Sequence, residues 1–352
     1  MRAWVGEAAD LPAGAAAPAA AQAFATGLRA QGAPAVLVLR VDTGATGLLH
    51  WLDTPHARGW LRPAGGDAEA LRLDAQATAA GLAVAVDSGF VAADAAILAC
   101  LHTELPQLSW GETPFFLPLQ AGLPSPGLYA IADSAAQLRR VLDAGVDTVQ
   151  LRIKQAPDAD ARWWDALRAE LAAGIEAAAA AGVPLYINDH WELARALGAT
   201  HIHLGQEDLQ RLGEDGRQAL CTAGVTLGIS SHSVWELCRA RALAPRYIAC
   251  GPVWPTVTKD MPWRPQGEDN LRWWRRFAGT PVVAIGGILG AAEVEQTAAW
   301  GADGVCVVRG LGVDPARVVP ALRQALERGR RAADGAAPRW PHPSLAPDHL
   351  PA

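Results

Sequence analysis

After Pro126 the sequence alternates short apolar runs with amphipathic segments, and it does so eight times before about residue 330. Continuous apolar runs separated by amphipathic helices are typical of parallel strands that are buried on both faces. Eight strand–helix units predict a (β/α)8 barrel, since that is the usual number in this closed architecture. The runs occupy residues 127–133, 147–154, 183–189, 200–205, 225–232, 245–253, 281–287 and 304–310.

An open, doubly wound parallel sheet is the structural alternative. Such a fold would be expected to carry G-x-G-x-x-G after its first strand, where backbone groups approach a dinucleotide. The corresponding residues read IADSAA (131–136) and contain no glycine. The closed barrel is therefore the preferred interpretation.

The residues on either side of this pattern differ from it. We predict an N-terminal extension (1–120), a barrel (121–331) and a proline-rich, disordered tail (332–352). In the extension, PAVLVLRVDTG and TGLLHWLDT predict paired strands, and FVAADAAILACLHTEL predicts a helix. The low-complexity stretch AADLPAGAAAPAAAQ is expected to be disordered. The predicted fold class is α/β, a TIM barrel with a smaller α+β extension.

Composition excludes several classes of partner. The net charge is −6 and no basic run is long enough to follow a phosphate backbone, which disfavours nucleic acid. No apolar stretch approaches the ~18 residues of a membrane span, and no secretory signal is recognisable. The five scattered cysteines form no C-x-x-C pair and fit a reducing compartment. We expect a cytoplasmic protein with small-molecule substrates. Whether it forms a homo-oligomer stays an open question.

Two neighbouring strands of the predicted barrel each end on a carboxylate. The third run stops at Asn188-Asp189, and the fourth leads into Gln206-Glu207-Asp208. The reactive face of such a barrel lies at the strand C-termini, so Asp189 and Asp208 should face each other and repel. Mg²⁺ prefers one or two carboxylates together with water and phosphate oxygens. A magnesium site is the functional interpretation; helix N-caps are the structural one.

Cations and glycines end the other strands. Arg152 and Lys154 follow the second run and Lys259 lies in the loop after the sixth, so we interpret all three as phosphate clamps. Gly286-Gly287 and Gly310 end the last two runs, where barrels usually bind a phosphate through backbone N–H groups. Two anion sites, one of them metal-assisted, imply a diphosphate and a monophosphate. Displacement of diphosphate fits this better than hydrolysis or redox chemistry.

The ordered motifs QLRIK, IND, HLGQEDL, GISSHS, GPVWPTVTK, VAIGGI and GVCVV resemble those of thiamine-phosphate synthases. The resemblance extends over residues 126–330. It implies an Mg²⁺-assisted, dissociative transfer that joins hydroxymethylpyrimidine diphosphate to thiazole phosphate. The products would be thiamine phosphate and diphosphate, and no protein nucleophile is needed.

The resemblance also implies roles for individual residues. Gln150 would contact the pyrimidine, and Ser230 would lie near the pyrimidine and the diphosphate. The diphosphate would be held by Arg152, Lys154, Asn188 and Lys259, and Mg²⁺ by Asp189 and Asp208. The thiazole phosphate would be bound by Thr256, Thr258, Gly286, Gly287, Val308 and Arg309. The expected catalytic residues among these are Arg152, Lys154, Ser230 and Lys259.

The chain departs from the family pattern at three places. His190 and Glu192 stand where the family usually has Arg and Asp, and Arg309 stands where it usually has Ser. The Arg309 side chain could turn toward the monophosphate or away from it; Gly310 favours backbone contacts. In the extension, HWLDTPHARGWL and GFVAADAAILA resemble hydroxymethylpyrimidine phosphate kinases. The Gly-Thr-Gly-Cys anion loop of those kinases is missing, which implies a remnant without kinase activity.

Some motifs have equally plain structural interpretations. His201 and His203 lie on one strand face without a third soft ligand, so we interpret them as structural. His232 could act in acid–base chemistry or in packing. The pairs Trp163-Trp164 and Trp273-Trp274 fit core or subunit contacts. A thiazole tautomerase is one alternative function, but it gives the predicted diphosphate clamp no task. A non-catalytic sensor of thiamine precursors, with the N-terminal extension as its output module, is the other.

Overall fold

A computed structural model of the chain describes residues 3–11, 18–256 and 262–345. The first part forms a five-stranded sheet with helices, and the second forms a closed barrel of eight strands. The predicted (β/α)8 barrel with an N-terminal α+β extension is therefore confirmed. The domain limits at residues 120 and 331 stay a prediction.

The N-terminal extension consists of a mixed sheet and the helices that pack on it. Its strands are β1 (Trp4–Glu7), β2 (Val36–Asp42), β3 (Leu48–Asp53), β4 (Arg58–Arg62) and β5 (Gln107–Leu108). Its helices are α1 (Pro18–Ala30), α2 (Asp67–Ala70), α3 (Ala75–Asp87) and α4 (Ala92–Ala99), with 3-10 turns at Ala8–Asp10 and Gly44–Thr46. The order is β1-β2-β3-β4-β5; β1 and β2 are parallel, and the other neighbours are antiparallel.

Helix α1 begins within the low-complexity stretch for which the sequence predicts disorder. Alanine has the highest intrinsic helix propensity, so an alanine-rich segment can form a helix once it has a surface to pack on. Ala21 and Ala25 are fully buried against the sheet. Residues 12–17 of the same stretch lie outside the described residues.

All eight predicted runs after Pro126 form barrel strands. These are β6 (Gly127–Ala132), β7 (Thr148–Leu151), β8 (Leu185–Asn188), β9 (His201–Leu204), β10 (Thr226–Ser231), β11 (Tyr247–Cys250), β12 (Val282–Ala284) and β13 (Gly304–Val307). The helices are α5 (Ala135–Asp143), α6 (Ala161–Ala181), α7 (Trp191–Ala196), α8 (Gln206–Arg211), α9 (Gly213–Thr222), α10 (Val234–Ala242), α11 (Gly267–Phe277), α12 (Ala291–Ala299) and α13 (Pro315–Ala332), with a 3-10 turn at Arg309–Leu311. Every neighbouring pair is parallel, and the last strand, β13, pairs with the first, β6, to close the barrel.

Aromatic side chains fill the inside of the barrel. Tyr129, Tyr186 and Tyr247 pack there with Ala249, Val283 and Cys306. The Tyr247 ring fits because position 228 is glycine: a Cβ there would lie 2.4 Å from the Tyr247 ring. The barrel interior is thus a packed core, and open space begins only at the strand C-termini.

Helix α10 of the barrel is covered on its outer side by the N-terminal extension. The Trp110 indole donates a hydrogen bond to the Arg239 carbonyl (3.0 Å), and Gln107 Nε2 donates to the Arg241 carbonyl (2.7 Å). The Arg241 guanidinium in turn donates to the Leu105 carbonyl (2.8 Å). The eight strands are complete without the extension, but both arginines are buried in the contact with it.

Residues 344–345 of the predicted disordered tail pack against the barrel. Ser344 and Leu345 are buried, and Leu345 forms an antiparallel bridge with Trp263. Proline-rich segments have no internal backbone hydrogen bonds, so their order depends on partners elsewhere in the fold. Residues 346–352 lie outside the described part.

The described residues contain no helix that is long and apolar enough to cross a membrane. All five cysteines are free, and four of them are buried. Burial raises the pKa of each buried thiol, so these cysteines act as small apolar residues.

A buried carboxyl joins the extension to the barrel. Asp94 on α4 is 2% exposed, and its Oδ1 accepts a hydrogen bond from the Trp235 backbone N–H at the start of α10 (2.8 Å). The pKa of Asp94 is raised from 3.8 to about 7, chiefly by burial; the hydrogen bonds from the α10 backbone oppose this shift, and the nearby Glu236 carboxylate adds to it. The folded protein therefore holds this proton more tightly than the unfolded chain does.

Asp94→Asn should change how stability depends on pH. Because the pKa of Asp94 is raised in the folded state, its contribution is fully present below about pH 4 and is lost as the pH rises through about 7. Asparagine carries no such proton. The Tm of the native protein minus that of Asp94→Asn should fall by about 2–4 °C or more between pH 5 and pH 8.

The exposed Asp87 at the end of α3 provides the control, since Asp87→Asn changes a carboxyl without burial. Its Tm should stay parallel to that of the native protein across this range. A constant Tm difference for Asp94→Asn would show that the carboxyl does not hold its proton in the fold.

Candidate active site

A cavity of 320 Å³ opens at the C-terminal ends of the barrel strands. It is lined by predicted site residues from all parts of the barrel: Gln150, Arg152, Asn188, Asp189, Asp208, Ser230, Thr256, Gly286, Gly287, Val308 and Arg309. Lys154 is exposed and does not line the cavity. Thr258 and Lys259 lie outside the described residues, so their predicted roles stay predictions.

The floor of the cavity is a chain of hydrogen bonds between buried side chains. Gln150 Nε2 donates to the Tyr129 hydroxyl (3.0 Å), which lies 2.7 Å from the Tyr247 hydroxyl. The Tyr247 hydroxyl is 2.8 Å from His203 Nδ1, and His203 Nε2 is 2.8 Å from Ser230 Oγ. A buried polar group without a partner is costly, so this chain fixes the orientations of Gln150 and Ser230.

The charge state of this floor is set by burial. Burial and the nearby Arg152 lower the pKa of His203 to about 4, so its ring is neutral at neutral pH. Burial raises the pKa of the Tyr129 and Tyr247 hydroxyls well above the ordinary value, so both stay protonated. The floor is therefore an uncharged hydrogen-bonding surface at the end of the cavity.

The sequence does not identify Tyr129, Tyr247 or His203 as site residues. His203, which the sequence indicates as structural, lines the cavity and contacts Ser230. Their common signal is the period of two in a strand: the inward positions Tyr129 and Ile131 alternate with outward ones. In a continuous apolar run, this alternation does not show which parity faces the inside.

Asp189 and Asp208 both line the cavity, as the strand ends predict. Burial raises the pKa of Asp189, and repulsion from Asp208 raises it further, whereas Arg152 opposes the shift. Asp189 has a left-handed backbone (φ 67°), which is uncommon for a residue other than glycine. Asn188 Nδ2 donates to Asp189 Oδ1 and to the His203 carbonyl (3.3 Å). The two carboxylates thus line the same cavity, Asp189 more exposed than Asp208, and their like charges repel.

Asp208 also caps a helix, which was the structural interpretation of this residue from the sequence. Its Oδ2 accepts a hydrogen bond from the Gly205 backbone N–H (3.0 Å) at the start of α8. Its Oδ1 lies 3.1 Å from the exposed Arg211 guanidinium. The Asp208 side chain therefore caps helix α8 and also faces the cavity.

This donor set fits a hard divalent cation. The described residues contain no cluster of three or more His, Cys, Asp or Glu side chains that could hold a metal by themselves. Mg²⁺ does not require one, because it commonly uses one or two carboxylates and completes its shell with water and phosphate. The repulsion that raises the pKa of Asp189 is the kind that a cation between the carboxylates would relieve.

Glycines bring two backbones together at the opposite side of the cavity. Gly286 and Gly287 have positive φ angles (94° and 73°). A Cβ at Gly287 would lie 2.5 Å from Trp254 Cβ and 2.8 Å from the Pro255 carbonyl oxygen. The Trp254 N–H donates to the Gly286 carbonyl (3.0 Å) and joins the loop after β11 to the end of β12. Only glycine allows this approach.

One side of the cavity, here called the lateral wall, consists of His232, Glu236 and Trp263. Glu236 Oε2 accepts a hydrogen bond from the His232 backbone N–H (2.6 Å) and lies 2.9 Å from His232 Nδ1. The Trp263 ring stacks on the His232 ring, with centroids 5.2 Å apart and planes 6° from parallel. His232 is thus held on both sides.

The cations differ in how closely they approach the cavity. Strand β7 ends at Leu151, before the predicted end at residue 154, so Arg152 and Lys154 lie on a loop. Arg152 is half-buried in the cavity, whereas Lys154 points to solvent. Arg309 lies at the rim with an exposed side chain. His190, which replaces the usual family Arg, contacts the Ile153 carbonyl through Nε2 (2.8 Å).

Gly287→Ala should disrupt this site without unfolding the barrel. The new Cβ meets the loop backbone at less than van der Waals distance, and a left-handed conformation adds a cost of about 1–2 kcal/mol. We expect diphosphate release, the reaction that the motif resemblance implies, to fall at least about tenfold in kcat/KM.

Gly198→Ala is the matched control, because Gly198 also has a positive φ (90°) but a Cβ added there would meet no atom within 4 Å. It should lower Tm slightly and leave kcat/KM unchanged. Equal kinetics for the two variants would contradict the close approach at Gly287.

Comparison with known families places the barrel among characterised sequences. The sequence profile described as Thiamine monophosphate synthase matches residues 127–311, which is more than half of the chain. This range includes every described residue that was predicted for the site. The N-terminal extension and the C-terminal tail lie outside it.

Named relatives agree with this profile. Thiamine-phosphate synthase of Neisseria meningitidis serogroup A is 42% identical over 217 residues, covering 61% of this chain and 99% of that protein. The corresponding protein of Rhizobium etli is 45% identical over 188 residues, with 53% and 87% covered. The thiamine phosphate pyrophosphorylase structure from Pyrococcus furiosus (TM-score 0.50, 24% identity, 58% and 96% covered) is similar in fold. Neither a tautomerase nor a sensor is favoured by these relatives.

Proposed function

The chain belongs to the thiamine monophosphate synthase family, and from this we propose how the mouth of its barrel carries out the family reaction. The enzyme is a transferase that condenses hydroxymethylpyrimidine diphosphate with thiazole phosphate and releases diphosphate and thiamine phosphate. The observation that carries the assignment of the site is that eleven predicted residues from separate strand ends line one cavity.

We assign the pyrimidine to the floor of the cavity. Gln150 and Ser230 point into the cavity from the neutral chain of Tyr129, Tyr247 and His203. An aminopyrimidine has both donors and acceptors on its edge, so it can pair with an amide and a hydroxyl. Because the floor is held by buried hydrogen bonds, binding orders the substrate more than the protein.

We assign the diphosphate to the side that carries Arg152, Asn188, Asp189 and Asp208. The two carboxylates would hold Mg²⁺, which when bound supplies positive charge for the diphosphate oxygens. Arg152 would donate hydrogen bonds to the same anion, and Asn188 would donate to it in place of Asp189. Lys154 would reach the diphosphate through its long, flexible side chain, and together with Lys259 it would complete the clamp.

We assign the thiazole phosphate to the glycine side of the cavity. Thr256, Gly286, Gly287, Val308 and Arg309 line it there, and Thr258 would join them. Backbone N–H groups can approach a phosphate closely where no Cβ intervenes. In this proposal, the thiazole ring would lie between the two anion sites and next to the pyrimidine.

The chemistry then requires no nucleophile from the protein. The bond between the pyrimidine methylene carbon and the diphosphate oxygen breaks, and the electron pair leaves with the diphosphate. The thiazole nitrogen forms the new C–N bond with the resulting carbocation. The buried Cys306 thiol is not a competitor, because burial raises its pKa. Positioning and electrostatic stabilisation would provide the rate enhancement.

Substitution of Asp208 tests the proposed function together with the metal assignment. In a purified-protein assay with both substrates and Mg²⁺, the native chain should form thiamine phosphate. Asp208→Asn can keep an oxygen acceptor for the Gly205 N–H but loses the negative charge. It should reduce turnover at limiting Mg²⁺ at least about a hundredfold with little change in stability.

Comparison of Asp208→Ala with Asp208→Asn distinguishes the loss of the helix cap from the loss of the negative charge. It should lose the same activity and, in addition, about 0.5–2 kcal/mol of unfolding free energy, since it also removes the α8 cap. A near-normal rate of Asp208→Asn at limiting Mg²⁺ would sink the metal assignment. Absence of thiamine phosphate with the native chain would refute the proposed function itself.

Arg309→Ser tests which group of the rim binds the monophosphate. The Arg309 side chain is exposed, and a Cβ at the adjacent Gly310 would lie 2.5 Å from the Leu289 carbonyl oxygen, so the two backbones are close. We therefore expect backbone contacts to suffice and the KM for thiazole phosphate to change less than about threefold, as is usual for an exposed ionic contact. Steady-state kinetics with each substrate varied in turn measure this. A rise of tenfold or more for thiazole phosphate would assign the contact to the guanidinium instead.

A further inference from the structure

The C-terminal tail follows a defined path from α13 to the lateral wall. Asp334 forms an ion pair with Arg272 of α11 (2.8 Å), and the exposed Arg339 lies 3.9 Å from Asp269. The segment 341–345, here called the C-terminal strap, then lies against the start of α11. A Cβ on Gly89 of the extension would lie 3.5 Å from the ring of Pro343, so the strap also touches the turn between α3 and α4.

Asn270 binds the strap as a neighbouring strand would. Its Oδ1 accepts a hydrogen bond from the His342 backbone N–H (2.8 Å), and its Nδ2 donates to the His342 carbonyl (3.0 Å). The side chain is 1% exposed. Without the strap, Asn270 Oδ1 would lose its hydrogen bond from His342, and Nδ2 would keep Gln266 Oε1 (2.8 Å) as a partner; loss of a buried hydrogen bond is costly. The strap is therefore a specific partner of α11.

A second set of contacts joins the strap to the segment before α11. The Arg264 N–H donates to the Ser344 carbonyl (2.7 Å), and Trp263 bridges Leu345. His342 Nε2 lies 3.0 Å from the Gln266 carbonyl, and Ser344 Oγ donates to Gln266 Oε1 (3.3 Å). Ser344 and Leu345 are 2% and 8% exposed.

The same segment reaches the cavity directly. Gln266, which is fully buried, donates through Nε2 to the His232 carbonyl (2.8 Å) and through its backbone N–H to the Pro252 carbonyl (2.7 Å). Trp263 stacks on the His232 ring and lines the cavity. The strap therefore contacts the lateral wall directly at Trp263, and it reaches His232 through the hydrogen bonds of Gln266.

We infer that the C-terminal strap is a positioning segment of the active site. It holds Trp263 against His232 and fixes residues 262–266 relative to the start of the loop that carries Thr256. The strap lies outside residues 127–311, so the family profile does not include this contribution. The inference rests on the proposed function for its kinetic consequence, because Thr256 is assigned to the thiazole phosphate.

The alternative is that the strap only covers part of the barrel surface. A cover would contribute to the stability of the whole fold, whereas a positioning segment acts on one loop. The two roles predict different effects of disrupting the strap. Loss of a positioning segment changes residues 262–270 and the KM for thiazole phosphate alone, whereas loss of a cover destabilises the whole barrel.

Two variants test the strap: one deletes it, and the other keeps it but weakens its contacts. One deletes residues 341–352, and the other, His342→Ala with Leu345→Ala, keeps the chain length and removes a hydrogen bond and a buried side chain. Arg339→Ala with Trp340→Ala is the matched control, because both side chains lie on the same tail and are exposed. Hydrogen exchange of residues 262–270 and of the distant helix α5, together with steady-state kinetics, is measured for all three.

We expect exchange of residues 262–270 to become at least about tenfold faster in both strap variants, and exchange of α5 to stay as in the native chain. The KM for thiazole phosphate should rise about tenfold, the loss that one or two hydrogen bonds cause, with kcat changed less than about threefold. The control variant should match the native chain in every measurement.

Unchanged exchange of residues 262–270 would overturn the inference, and so would faster exchange with an unchanged KM. Uniformly faster exchange of α5 and residues 262–270 in both strap variants would establish the cover role instead. If the native chain forms no thiamine phosphate, the proposed function fails, but exchange still decides whether the strap holds this segment.

Discussion

The hydroxyl of Tyr247 holds the mouth of the barrel together. It lies 2.7 Å from the Tyr129 hydroxyl and 2.8 Å from His203 Nδ1, and Tyr247 is 1% exposed. Because every polar group on this line must be satisfied inside the protein, the positions of Gln150 and Ser230 at its two ends are fixed together. Gly228 contributes indirectly, since a side chain there would occupy the place of the tyrosine ring.

Above this neutral floor, the structure holds two like charges close together. Asp189 has an uncommon backbone conformation and a raised pKa, partly because Asp208 faces it. Local strain and like charges persist only where the surrounding structure enforces them, and they are frequent at functional sites. Asp208 shows that structural and functional interpretations need not exclude each other, because the carboxylate that caps α8 also lines the cavity.

Two segments outside the family barrel converge on the lateral wall. Asp94 of the extension binds the start of α10, whose Glu236 holds His232, and the C-terminal strap holds Trp263, which stacks on His232 from the other side. A barrel loop is otherwise anchored only at its two ends, so contacts from outside can reduce its freedom without changing the residues that meet the substrate. In this chain, both flanking segments thus contact the surroundings of the candidate site, although neither contributes a predicted substrate ligand.

The sequence by itself determined the barrel, because the repeat of apolar runs is a local pattern that survives without knowledge of tertiary contacts. It also determined which side chains stand at the strand ends, and closure of the barrel brought Asp189, Asp208 and Gly287 into one cavity. It could not show that Tyr129, Tyr247 and His203 face inward, because strands buried on both faces lack the alternation that marks one side. It could not show the order of the strap either. The partners of His342 and Ser344 lie more than 70 residues away along the chain, and a proline-rich segment has no internal hydrogen bonds that would indicate order. Only the packing of α11 against the strap decided that.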